Sequence, residues 1–151
     1  MNVMYYKRDV AFKNRKDAVN ILTTEINSTR DFVIERNINL DKLVKLNYAL
    51  EKKYYKLKLK ENSKRSIKLL DIYKYTNIAI DICQLYDTES TDFFKDLKID
   101  KDFVNSFIDY QINLEKRQNS LKDQHWHGKY KTYLWSNVDK DDKKRGYNNC
   151  K

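Results

Sequence analysis

The first 127 residues contain neither proline nor glycine, and the only two glycines of the chain are Gly128 and Gly146. These residue types are the strongest local interruptions of regular structure, and tight hairpin turns depend on glycine in particular. Their absence is typical of long helices joined by short polar turns. We therefore predict an all-α protein, a single-domain bundle of four to five helices followed by a basic, aromatic C-terminal segment.

Apolar residues recur at helical spacing along most of the chain. They predict helices over residues 14–36, 39–60, 64–87 and 100–124, with a short helix ending near residue 98. Asn39, Ser63 and Asp100 stand just before three of these stretches, and each is a residue type that caps a helix by accepting a backbone N–H. We predict that residues 1–124 form the bundle and that residues 125–151 form a tail packed on it or extending from it.

The stretch 64–87 is apolar over most of its circumference, which is typical of a buried helix. We predict that it is the central helix of the bundle. Only a narrow strip of it is polar, and this strip consists of Lys74, Asn77, Asp81 and Gln84.

The predicted helix 39–60 has one face that carries a single sign of charge. Its apolar seam consists of Leu43, Leu46, Leu50, Tyr54 and Leu57. On the opposite face lie six lysines, Lys42, Lys45, Lys52, Lys53, Lys56 and Lys60. Lys64 and Arg65 extend this lysine stripe beyond the next turn. Because like charges four residues apart destabilise a helix, a stripe of one sign invites a search for an anionic partner.

The predicted stripe is long enough to follow a phosphate backbone. From Lys42 to Lys60 it measures about 27 Å at 1.5 Å per residue, which is comparable to most of a turn of duplex. The net charge of +9 also points to nucleic acid. The alternative is a solvated face enriched in lysine by AT-rich codon usage, since the chain has 24 Lys against 7 Arg among its 31 basic residues.

The tail combines aromatic and basic side chains. The candidate binding residues here are Trp126, Lys129, Tyr130 and Lys131. Aromatic rings beside cations are how many proteins hold single strands without sequence preference. The alternative is that Trp126, Tyr133 and Trp135 fold back and close the bundle, since large aromatic side chains are mostly buried.

The sequence shows no catalytic signature. With glycine only at positions 128 and 146, neither a P-loop nor a dinucleotide-binding fingerprint is present. Cys83 lies in an apolar helix and is interpreted as a buried, inert thiol. His125 and His127, with Cys150, are too few ligands for a zinc site of familiar spacing. We therefore expect no enzyme activity, no metal and no cofactor.

Arg117 and His125 are similar in type and position to a pair in HEPN-type ribonucleases. Those helical enzymes carry an arginine and, after four to six intervening residues, a histidine at the end of a helix. Seven residues intervene here, from Gln118 to Gln124, so the spacing departs from that pattern. The resemblance covers two residues, and we do not assign the family.

Two function classes fit these observations. The first is a non-catalytic nucleic-acid-binding accessory protein of a phage or mobile element. The second is a small inhibitor or adaptor that binds an acidic or nucleic-acid-binding protein, such as a phage counter-defence protein.

Two cysteines and the absence of a long apolar run predict a soluble protein of the reducing cytosol, without a membrane partner. The leucine seam predicts either packing within the chain, which we favour, or a homodimer.

Overall fold

The computed structural model describes residues 10–120 and 133–144. The elements from the N-terminal side are strand β1 (Val10–Ala11) and helices α1 (Arg15–Arg36), α2 (Leu40–Lys52), α3 (Tyr54–Leu59) and α4 (Lys64–Leu85). They are followed by a 3-10 turn (Asp92–Asp96), helix α5 (Lys101–Ser120), strand β2 (Tyr133–Leu134) and helix α6 (Ser136–Lys144). The predicted all-α, single-domain bundle is confirmed.

Side-chain caps fix the starts of three helices. Asn39, Ser63 and Asp100 each accept a hydrogen bond from the backbone N–H three residues later, at 2.9, 3.1 and 2.9 Å. Each bond satisfies one of the donors that a helix leaves unpaired at its first turn. The three predicted caps are therefore confirmed.

The single helix predicted over residues 39–60 is wrong, because α2 and α3 are separated at Lys53. The Lys53 N–H bonds to the carbonyl of Leu50 at 3.1 Å, three residues back instead of four. Lys52, Lys56 and Lys60 repeat every four residues through this point, and such like-charge spacing destabilises a helix. The interruption and helix α6 bring the described α-helices to six.

Helix α4 is central, as predicted, and packs against α1, α2, α3 and α5. Even its polar strip is largely enclosed. Asn77 and Asp81 are buried, where Asn47 donates to Asn77 at 2.8 Å and Gln111 donates to Asp81 at 2.7 Å. These bonds compensate the loss of water at the buried polar groups, so α4 is surrounded on nearly every side.

The apolar core has two parts. The larger joins α1, α4 and α5 with the segment after residue 132. The smaller lies between α2, α3 and α4 and contains Leu50, Tyr54, Leu57, Leu70 and Tyr73. The leucine seam of α2 and α3 therefore packs within the chain, which is the favoured of its two interpretations.

Segments from the two ends of the described chain meet beside the larger core. Strands β1 and β2 pair in parallel, with Val10 opposite Tyr133 and Ala11 opposite Leu134. The Phe12 ring centroid lies 5.4 Å from that of Tyr133 and 5.0 Å from that of Trp135. The tail, as far as the structure describes it, folds back and closes the bundle.

Candidate nucleic-acid interface

The predicted stripe is exposed throughout. All eight of its cations are solvent-exposed, namely Lys42, Lys45, Lys52, Lys53, Lys56, Lys60, Lys64 and Arg65. The fold thus leaves the whole basic surface, defined here by these eight residues, open to a partner.

Carboxylates neutralise little of this surface. Within residues 10–120 and 133–144, Lys45 is the one member with an ion pair, to Asp41 at 3.1 Å. Both side chains are more than 70 % exposed, at 76 % and 73 %, and such a pair contributes little because water screens it. Lys52 places its Nζ 4.6 Å from the ring centroid of Tyr48, which is a cation–π contact and leaves the charge in place.

The basic surface is densest at one end of the molecule. Helices α2 and α3 together run antiparallel to α4, because Asn47 of α2 bonds to Thr76 and Asn77 whereas Tyr54 of α3 packs on Tyr73. The end of α2, all of α3 and the start of α4 therefore lie together. Between residues 42 and 68 the chain has ten basic and two acidic side chains, a net of +8.

The start of α4 adds to this positive potential. Lys64 and Arg65 are its first two residues, and no acidic residue lies in its first turn. A helix N-terminus carries a partial positive charge, so cations there raise the potential, whereas carboxylates would lower it. The opposite end of α4 leads into an acidic segment, residues 87–102, with six acidic and three basic side chains.

Tyrosines interleave with the lysines, but they differ in exposure. Tyr54 is buried in the smaller core, whereas the exposed fractions of Tyr48 and Tyr55 are 60 % and 49 %. Tyr54 was predicted to lie on the apolar seam, and its burial confirms this. It is Tyr48 and Tyr55 that present their rings to solvent beside the lysines.

The tail contains further candidate residues, and the structure describes only some of its aromatic side chains. Trp126, Lys129, Tyr130 and Lys131 lie outside the described residues, so their role stays a prediction. Tyr133 and Trp135 are buried. Their rings contact Phe12 and each other, so they serve the core and not a ligand.

The burial of a cation in α3 was not predicted from the sequence. Lys58 is fully buried, with its Nζ 3.8 Å from Glu61 Oε1 and 5.7 Å from the centroid of the Tyr54 ring. It belongs to the interior and not to the basic surface. The flanking Leu57 and Leu59 give no local signal of this burial, since Leu57 is buried and Leu59 is 57 % exposed.

A second charged cluster that sequence reasoning missed surrounds Arg15. Its guanidinium donates to Asp142 at 2.8 and 3.0 Å, to Asp109 at 2.6 Å and to Asn105 at 2.7 Å. Burial opposes its charge, but the bonds to Asp142 and Asp109 outweigh this and raise the pKa of Arg15. The cluster joins α1, α5 and α6, which is a structural function.

The described residues contain no arrangement that suggests catalysis. Burial raises the pKa of the Cys83 thiol to about 11, which disfavours the reactive thiolate. No group of three His, Cys, Asp or Glu side chains suited to a metal converges in residues 10–120 and 133–144. Arg117 is exposed on α5, whereas His125 and His127 fall outside those ranges.

An open cleft of about 320 Å³ lies between α1 and α4. Its lining includes three acidic and two basic side chains, Asp31, Glu35, Asp71, Arg36 and Lys68. Because both signs are present, the cleft is not an evident site for a polyanion. The basic surface is the feature with a clear chemical preference.

In comparisons with known proteins, no family model, curated protein or solved structure gives a significant match to this chain. No helix of the described segments combines the length and apolar character needed to cross a bilayer. Evidence for a function therefore comes from the geometry and charge of the basic surface.

Proposed function

We propose that this protein binds nucleic acid through its phosphate backbone, without catalysis, as an accessory protein of a phage or mobile element in a cytosolic compartment. One observation carries the proposal. All eight cations of the basic surface are exposed, and in the described chain only Lys45 is paired with a carboxylate. A surface with uncompensated charge of one sign attracts a polyanion and raises its rate of association.

The mode of binding follows from the chemistry of lysine. An ammonium group contacts a phosphate as a point charge and reads no base edge, so binding is expected to be independent of sequence. Neutralised phosphates release counterions, and six contacts at the densest part of the surface predict a slope of log K against log salt of about −5 on duplex or −4 on single strands.

The first test is a titration of labelled 20-nucleotide probes at 50 and 200 mM salt, followed by fluorescence anisotropy. Between the two salt concentrations we expect the affinity to fall by about a thousandfold on duplex probes and by roughly 300-fold on single strands. No binding at 50 mM salt would contradict the proposal. The same surface would then favour the alternative function, an inhibitor or adaptor that binds an acidic protein.

The second test locates the interface. Reversal of charge at Lys52→Glu and Lys56→Glu together is expected to weaken binding to every probe sequence and to flatten the salt slope. The matched control, Lys95→Glu with Lys98→Glu, makes the same change in net charge within the acidic segment. Equal losses in both double variants would show that net charge alone matters and that the basic surface is not the interface.

A further inference from the structure

We infer that the bound nucleic acid is single-stranded and that Tyr48 and Tyr55 stack on its bases. The inference rests on the proposed function and specifies its substrate class. The exposed fractions of these two tyrosines are 60 % and 49 %, and both lie among the cations of the basic surface. Exposed rings beside cations are the combination with which proteins grip single strands.

The ring of Tyr48 is placed to receive a base. It lies on the solvent side of α2, and the Lys52 ammonium covers one ring face at 4.6 Å from the centroid. With 60 % of the residue exposed, the other face remains available. A base stacked there would lie next to a cation that neutralises the adjoining phosphate.

The ring of Tyr55 is held by buried neighbours. It meets Tyr54 edge to face, with centroids 5.8 Å apart. Tyr54 in turn packs on Tyr73 at 5.5 Å within the smaller core. Tyr55 is therefore oriented by a rigid support, which lowers the entropy lost when a ligand binds.

A duplex fits this surface less well than a single strand. Base faces inside a duplex are already stacked on one another and are not available to tyrosine rings. The interruption at Lys53 also removes the straight 39–60 helix that would follow a duplex. A flexible single strand can bend across the interruption and pass from α2 to the start of α4, placing its phosphates on the lysines.

The test separates stacking from charge by comparing single strands of equal phosphate number, with a duplex of the same length beside them. We would titrate the full chain with 15-nucleotide oligothymidylate, an abasic 15-mer, oligouridylate and a 15-base-pair duplex. Single substitutions Tyr48→Leu and Tyr55→Leu are each expected to weaken binding to oligothymidylate about tenfold and to leave binding to the abasic strand unchanged.

Tyr86→Leu is the matched control. Its exposed fraction equals that of Tyr55, 49 %, but it adjoins the acidic segment, and its substitution is expected to change no affinity. Equal loss for oligouridylate in the Tyr48 and Tyr55 variants would extend the inference to RNA.

Two results would overturn the inference. Tight duplex binding that is insensitive to both tyrosines would refute it and leave the phosphate proposal intact. Failure to bind any probe at low salt would refute both.

Discussion

At the scale of single residues, Arg15 links helix α1 near the start of the described chain to α6 at its end. It contacts Asp142, whose side chain is 1 % exposed, and Asp109 on α5. Two of its bonds to Asp142 form a bidentate pair, the strongest common geometry between guanidinium and carboxylate.

Replacement of Arg15 is expected to be severely destabilising. Arg15→Ala leaves the buried carboxylate of Asp142 without its cation, which costs about 3–5 kcal/mol of the free energy of unfolding. Urea denaturation followed by circular dichroism measures the loss. Lys45→Ala is the control, because its exposed pair with Asp41 is worth at most about 1 kcal/mol. A loss below about 1 kcal/mol for Arg15→Ala would contradict this account.

The buried phenol of Tyr133 makes the free energy of unfolding depend on pH in the alkaline range. Burial, and then the charges of Glu25 and Asp81, raise the pKa of Tyr133 well above its usual 10.0. The unfolded chain therefore releases this phenolic proton first as the pH rises, and the free energy of unfolding is expected to fall above about pH 10. Below that pH the stabilisation of the neutral phenol is fully present.

The Tyr133→Phe variant tests this linkage. In the described structure the buried hydroxyl of Tyr133 has no hydrogen-bond partner, so its removal is expected to leave stability at pH 7 unchanged or raise it by about 1 kcal/mol. The variant is also expected to lose less stability between pH 9 and 11, measured by urea denaturation. Tyr48→Phe, at an exposed ring, serves as the control and retains the wild-type pH dependence.

The burial of charged side chains is what the sequence could not predict at this scale. The exposed lysines of the stripe follow from helical periodicity alone. Arg15 and Lys58 do not, because periodicity assigns any lone charge to the surface. Their burial depends on partners distant in sequence or on the packing of a short helix, and neither can be derived from local spacing.

At the scale of secondary-structure elements, the capping residues and the helical spacing of apolar side chains together predicted most helices. Helices α1 and α4 begin and end within about two residues of their predicted limits. The break at Lys53 was missed because both α2 and α3 keep the same apolar seam. The enclosure of the Asn77 and Asp81 strip was not predictable either, since their partners Asn47 and Gln111 come from other helices.

The lysine stripe should cost the protein stability, and this cost can be measured. Lys56→Glu replaces a like charge by an opposite one beside Lys60, whose backbone N–H bonds to the carbonyl of residue 56 at the end of α3. It is expected to raise the free energy of unfolding by about 0.5 kcal/mol and to weaken binding of nucleic acid. Thermal melts and anisotropy titrations measure the two effects, and Lys95→Glu is the control for net charge. Lower stability in Lys56→Glu would show that the stripe carries no such cost.

At the scale of the whole molecule, the described part of the tail shares the larger core with the bundle. The sequence predicted a boundary after residue 124 and left open whether the tail packs on the bundle. In the structure Phe12, Tyr133 and Trp135 are buried against one another. The return of the tail was not derivable from its composition, because basic and aromatic residues suit both a ligand surface and a closing strand.

A chain truncated after residue 124 is therefore expected to lose cooperative folding. It would lack Trp135, Val138 and Asp142, and loss of a single large buried aromatic alone costs about 3–5 kcal/mol, against a total stability of about 5–15 kcal/mol for a typical domain. Truncation after Lys144, which removes none of these, is the control. A cooperative melt of the 1–124 fragment near that of the full chain would contradict this expectation.

The pairing of Arg15 with Asp142 has a consequence for biosynthesis. The two residues are 127 positions apart, so nearly all of the described chain must be translated before Arg15, which also pairs with Asp109, obtains its buried carboxylate partner. Contacts of such long range slow folding, because an extended loop has to close first. The docking of α6 on Arg15 is therefore expected to be a late step of folding, one that follows the packing of α1 on α4 and α5.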